Sequence, residues 1–127
     1  MGQPVMHFEV IGKDSAKLRG FYGGLFDWEI QDVGGPMDYG VVDREQNLSP
    51  EGIGIGGGIG GSSAAEGHVT FYVGVEDAEA ALTKAEELGG KRVWGPDEVP
   101  GQGILIGHLL DPEGHLVGVV QPIGEQS

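Results

Sequence analysis

Apolar residues in this chain recur with two different periods, and the order in which the periods alternate sets the architecture. From Asp14 the side chains Leu18, Phe21, Tyr22 and Leu25 fall at i, i+3, i+4 and i+7, which is one face of a helix. From Asp77 the residues Ala78, Ala81, Leu82 and Ala85 repeat that spacing, and each aspartate stands where an N-cap carboxylate accepts from first-turn amides. A short β-like run opened by a histidine precedes each helix, at residues 7–11 and 68–73. Three further strand signals follow each one, at 28–33, 39–43 and 52–59 and then at 91–94, 104–110 and 115–121. The chain therefore reads as βαβββ twice, an α+β fold of one domain over 1–127, with module one at about 4–61 and module two at about 66–122.

Turn chemistry supports these divisions. In Asp111-Pro112-Glu113-Gly114 the proline presets φ at the second turn position and the glycine closes a type I turn, so the last two strands read as a hairpin. Each helix must cover one face of a curved mixed sheet, and two such half-sheets facing one another would enclose a cavity. Side chains alternate along a strand, so His7, Glu9 and Ile11 share a face while Phe8 and Val10 form the greasier, helix-packing face. By the same parity His68, Thr70 and Tyr72 face together, and Val69, Phe71 and Val73 are expected under the second helix.

Composition narrows the chemistry. Twenty Asp+Glu against seven Lys+Arg give a net charge of −13 with no basic cluster, which disfavours nucleic acid and membrane surfaces as partners. With no cysteine, thiolate nucleophiles, disulfides and Cys-ligated metals disappear together, leaving His, Asp and Glu chemistry. A basic stretch followed by an apolar one is missing near residue 1, and no run approaches the 18 or so apolar residues of a membrane span, so the expected location is the cytoplasm. Glycine is the outlier at 26 residues, and 52–61 even contains G-x-G-x-x-G. A phosphate cradle needs those glycines to open a helix, whereas here they run towards a strand, so they read as a flexible or bulged strand that widens the cavity.

Three side chains carry candidate chemistry. Two strand-borne histidines, His7 and His68, form half a metal site, and Glu9 on the face of His7 would complete a facial triad. Glu9 equally reads as a lone cavity acid acting as general base, or as a structural, hydrogen-bonded residue. Tyr72, Thr70 and Trp94 are the candidate substrate-binding residues, Tyr72 by its parity with His68, and the aromatic pair because such rings supply apolar area with one polar handle. Trp28, directly after the first helix, reads as core, and His108 and His115, which flank the turn, read as exposed surface.

The run His7-Phe8-Glu9-Val10-Ile11-Gly12-Lys13-Asp14, the run Phe21-Tyr22-Gly23-Gly24-Leu25-Phe26-Asp27-Trp28, His68, and the turn Asp111-Pro112-Glu113-Gly114-His115 together resemble the vicinal oxygen chelate superfamily, which includes glyoxalase I, bleomycin-resistance proteins and extradiol dioxygenases. The resemblance covers nearly the whole chain. It implies metal ligands on the first and last strand of each module, and His7 and His68 match the two first-strand positions. Where it implies last-strand carboxylates the chain has Gly118 and, between 53 and 58, only Ile and Gly. It further implies a divalent metal (Zn, Ni, Fe or Mn), a small-molecule ligand and a homodimer. Two functions stay open: a glyoxalase- or dioxygenase-type enzyme using His7, His68 and Glu9, and a metal-free protein that sequesters a small molecule. The histidines favour the first, and the missing carboxylates favour the second.

Overall fold

The computed structural model describes residues 2–123. Its elements follow the order β1 (Val5–Gly12), α1 (Ser15–Phe26), β2 (Ile30–Gly34), β3 (Tyr39–Val42), β4 (Gly56–Gly61), β5 (His68–Gly74), α2 (Ala78–Glu87), β6 (Lys91–Val99), β7 (Ile104–Leu110) and β8 (Leu116–Pro122). This is the βαβββ pattern twice. A single turn of 3-10 helix over Arg44–Gln46, which the periodicity does not reveal, fills part of the β3–β4 connection. Both helix starts stand where the aspartates place them: the Asp14 side chain accepts from the Lys17 amide and Asp77 from the Ala80 amide.

The chain divides into two compact units, one of residues Met6–Thr70 and the other, among the described residues, of 2–5 with 71–123. In the first, the strand order is β2-β3-β4-β1, with β1 parallel to β4 and the other pairs antiparallel. In the second, the order β6-β7-β8-β5 repeats the scheme, with β5 parallel to β8. The internal repeat is thus one of topology as well as of sequence spacing. Among the described residues no helix is long and apolar enough to cross a membrane.

The second unit is built around Val75, Ala78, Leu82 and Val119, with Val73, Ala81 and Leu109 packed against them. The α2 face named by periodicity is therefore the one that packs. The α1 face does so only in part. Leu18 and Tyr22 are half-buried, but Phe21 and Leu25 are 60% and 58% exposed. The parity of β1 holds, since Phe8 meets the Trp28 ring at 5.1 Å and Val10 is buried. Trp28 packs as core, also stacking on Tyr22 at 5.9 Å. The parity of β5 needs correction. Val73 reaches the core, whereas Val69 and Phe71 are 74% and 42% exposed instead of packed.

The glycine run also differs from its sequence reading. Residues 56–61 form a regular strand between β1 and β3, with continuous register to both, rather than a flexible or bulged one. None of these glycines has positive φ, so close approach and not torsional freedom requires them. A Cβ on Gly57 would strike the Phe8 ring, and one on Gly61 the Gly12 backbone. Aromatic rings and a neighbouring strand fill the space that the missing side chains leave, so Gly57 and Gly61 open no cavity of their own.

A candidate site built on Glu9 and Tyr39

The alternation of β1 places His7 and Glu9 on one face, and there each meets Tyr39 from the start of β3. The Tyr39 hydroxyl donates to Glu9 Oε2 at 3.0 Å and lies 3.0 Å from His7 Nε2. The other carboxylate oxygen, Glu9 Oε1, is 3.2 Å from His68 Nε2, at the start of β5. The Glu9 side chain is only 13% exposed and that of His68 24%.

Proton accounting orients this network. A phenol has one proton, and since Tyr39 gives it to Glu9, its oxygen can only accept from His7, which fixes the His7 proton on Nε2. A carboxylate has no proton to give, so His68 donates to Glu9 through its own Nε2–H. The order is His7 to Tyr39 to Glu9, with His68 donating from the other side. Burial pushes the His7 imidazole below its usual 6.5, and the nearby Glu9 charge opposes that shift without reversing it. His7 is therefore neutral at pH 7, with its single proton on the nitrogen that faces Tyr39.

Gly58 explains why Tyr39 can lie there. It pairs in register with Glu9, and a Cβ on Gly58 would overlap the Tyr39 hydroxyl and the adjoining ring carbons. Gly60 is covered by the same ring. In the second unit Gly118 stands in register with Tyr72, and a Cβ there would strike the Tyr72 ring. Gly58, within the 53–58 range, and Gly118 are thus each roofed by a tyrosine, and neither could take a carboxylate without displacing that ring.

His7 and Glu9 meet through an intervening phenol, Glu9 and His68 bond to each other directly, and among the described residues no group of three or more His, Asp or Glu side chains is gathered as ligands. In this arrangement the residues do not fit a chelate. They fit a hydrogen-bonded acid–base cluster instead.

The remaining candidates lie on β5 and β6. Thr70 and Tyr72 are each 5% exposed, and Trp94 is 42% exposed. Tyr72 bonds His108, its hydroxyl 2.6 Å from Nε2, and the Trp94 and His108 rings are 5.5 Å apart. His108 is consequently half-buried rather than exposed as its position near the turn suggested, because β7 places it opposite Trp94. His115 is exposed, its imidazole 3.0 Å from Asp111, whose carboxyl is held below its usual range by the His115 amide and by the other bonds of the turn. Sequence reasoning missed Tyr39 and His108. The usable signal for Tyr39 was an aromatic residue opening the strand beside one with almost no side chains, since glycines in sheets take cover from aromatics on neighbouring strands.

Comparison with known proteins agrees with this fold. No curated protein matches the sequence. Among solved structures, a variant of Streptomyces coelicolor methylmalonyl-CoA epimerase in complex with 2-nitronate-propionyl-CoA superposes with a TM-score of 0.64 at 15% identity, covering 96% of this chain and 99% of that one. A hypothetical protein from Bacillus halodurans C-125 gives 0.68 at 12% identity over 100% and 99% of the two chains. The methylmalonyl-CoA epimerase of Mycobacterium tuberculosis gives 0.61 at 12% identity over 93% and 87%. At these identities the likeness is one of fold. The model of the glyoxalase-like domain matches residues 8–120, nearly the whole chain, and the protein accordingly belongs to that family, within the vicinal oxygen chelate superfamily.

Proposed function

We propose that this protein binds a small neutral or cationic organic molecule at the Glu9–Tyr39 cluster without using a metal. One observation carries the reading: the Tyr39 hydroxyl stands between His7 and Glu9, so the groups that would converge on an ion are spent on one another. Such a cluster offers a ligand a carboxylate acceptor and a phenol in a poorly solvated setting, where each hydrogen bond is electrostatically stronger than in water. The epimerase neighbour holds a CoA ester, but the charge of this chain argues against a polyanion of that kind. A net charge of −13 repels phosphates, and Arg19, Arg44 and Arg92 are each paired with carboxylates of their own unit.

A second reading is favoured by the same carboxylate. Glu9 is placed to take a proton from a bound molecule, with Tyr39 and His68 ready to compensate the change in charge. Epimerisation, the activity named for two of the fold neighbours, is a proton-transfer reaction of that type. The two readings separate in Glu9→Gln. A sequestering protein loses affinity when the charge goes, whereas an enzyme retains binding and loses exchange of a substrate proton with solvent deuterium.

The experiment is a thermal-shift screen of uncharged, cationic and anionic small molecules, run with and without EDTA. The reading expects stabilisation by a neutral or cationic compound, unchanged by EDTA, with an apparent affinity at least tenfold weaker in Glu9→Gln. Stabilisation that vanishes with EDTA and returns with added Zn, Ni, Fe or Mn would overturn it in favour of the metal-dependent enzyme.

A further inference from the structure

The second unit carries a separate group of side chains that the Glu9 cluster does not use. We propose that Trp94, positioned by His108 and Tyr72, forms a binding subsite for a small organic cation. The inference uses residues of this unit alone and stands whether or not the Glu9 cluster works without metal.

Three structural features support it. Strand β6 shifts register against β7 on both sides of Trp94, between Arg92 and Trp94 and again between Trp94 and Asp97. Bulges of this kind re-aim a side chain, and Trp94, paired with His108 between the two irregularities, keeps its indole 42% exposed. Its ring is then fixed by a chain of contacts. His108 lies 5.5 Å from Trp94 and 5.6 Å from Tyr72, and its Nε2 is 2.6 Å from the Tyr72 hydroxyl. Tyr72 is itself 5% exposed and seated on Gly118, where no side chain competes for the space. The result is an aromatic surface whose supporting rings are already ordered, which lowers the cost of binding.

Charge selects the ligand. From residue 71 to the end of the sequence there are ten Asp+Glu against three Lys+Arg. The base nearest Trp94 in sequence, Arg92, bonds Glu79 at 2.6 Å and lies 3.8 Å from Glu86. An anion would meet a repulsive field, while a cation is drawn by that field and by the electron-rich face of the indole. A half-buried imidazole neighbour and a flat ring suit a compact ammonium better than an extended chain.

The test uses 15N-labelled protein and follows the two tryptophan indole N–H signals, assigned with Trp28→Phe, during titration with choline and with its uncharged isostere 3,3-dimethylbutan-1-ol. The expected result is a saturable shift of the Trp94 signal with choline, little movement of Trp28, and binding about three- to fivefold weaker for the isostere. Tyr72→Phe keeps the ring over Gly118 and removes the hydroxyl that bonds His108. It should leave the spectrum dispersed and weaken choline severalfold, as should His108→Gln. Shifts that rise linearly without saturation, that are equal for the charged and neutral compounds, or that persist unchanged in Tyr72→Phe would overturn the proposal.

Discussion

Replacing Gly58 by alanine should destabilise the protein in a way that depends on Tyr39. The new methyl group would occupy the space of the Tyr39 hydroxyl and ring, so the phenol must leave its bonds to Glu9 and His7. The bond to the carboxylate is worth about 1.5–3 kcal/mol and the one to the imidazole about 0.5–1.5 kcal/mol, and overpacking alone costs about 1–3 kcal/mol. Because these penalties overlap, Gly58→Ala should cost about 3 kcal/mol, a large share of the roughly 5–15 kcal/mol by which a domain is stable. Tyr39→Ala removes a half-buried aromatic ring and should cost about 2–3 kcal/mol by itself. In the double variant the added methyl enters vacated space, so the second substitution should cost close to nothing. The coupling of about 3 kcal/mol would lie at the upper end of what contacting residues show. Urea unfolding at pH 7.5 measures it, read from the midpoints provided the slope is unchanged. Equal costs of Gly58→Ala in both backgrounds would refute the placement of Tyr39 over Gly58, and with it the reason for a glycine strand.

Three further outcomes are expected. Leu82 is fully buried in the second unit's core, so Leu82→Ala should cost about 3 kcal/mol in the same assay, within the 2–5 kcal/mol typical of such truncations. Burial lowers the His7 pKa below 6.5, so the unfolded chain takes up a proton there before the folded one does. Stability should be level above about pH 7 and fall as pH drops below 6.5, by at most about 1.4 kcal/mol per pH unit for one group, and urea midpoints of His7→Gln should lack that slope between pH 7 and 5. Asp14→Ala and Asp77→Ala each remove a helix N-cap bond and should cost about 1 kcal/mol, and because the two caps belong to different units the double variant should cost their sum.

The parts of the fold legible in the sequence are those set by neighbours along the chain. Asp14 and Asp77 cap helices because a short carboxylate accepts from amides three residues on, and the Asp111 to Gly114 turn needs nothing beyond its own residues. The α2 face is legible because the alternative positions, Ala80 apart, are charged or polar. What stayed hidden depends on which strand lies beside which. Val69 and Phe71 sit on the alternation that packs Val73, yet are exposed, and nothing in the β5 sequence separates them from it. The glycine run of β4 has no pattern of its own, and its meaning comes from Phe8 and Tyr39 on the two strands beside it. At the site, His7, Glu9 and His68 were legible as a group because two carry the same position in a repeated module and the third shares a strand face. The phenol that connects two of them comes from β3, and its only signal is the side-chain-poor run at 56–61, whose pairing with β3 the sequence does not state. His108 escaped for the same reason, its partners Tyr72 and Trp94 being 36 and 14 residues away.

In the proposed reading His7 bonds Tyr39, and Glu9 bonds Tyr39 and His68, in place of holding an ion. The most direct measurement is metal content by mass spectrometry on untagged protein, after equilibrium dialysis against Zn, Ni, Fe(II) or Mn and against buffer alone, alongside a His7→Ala/His68→Ala variant. The account predicts well under one equivalent of any of these metals per chain, with no difference between the parent and the variant. About one equivalent per chain in the parent, lost in the variant, would contradict it and show that Tyr39 gives way to a metal centre.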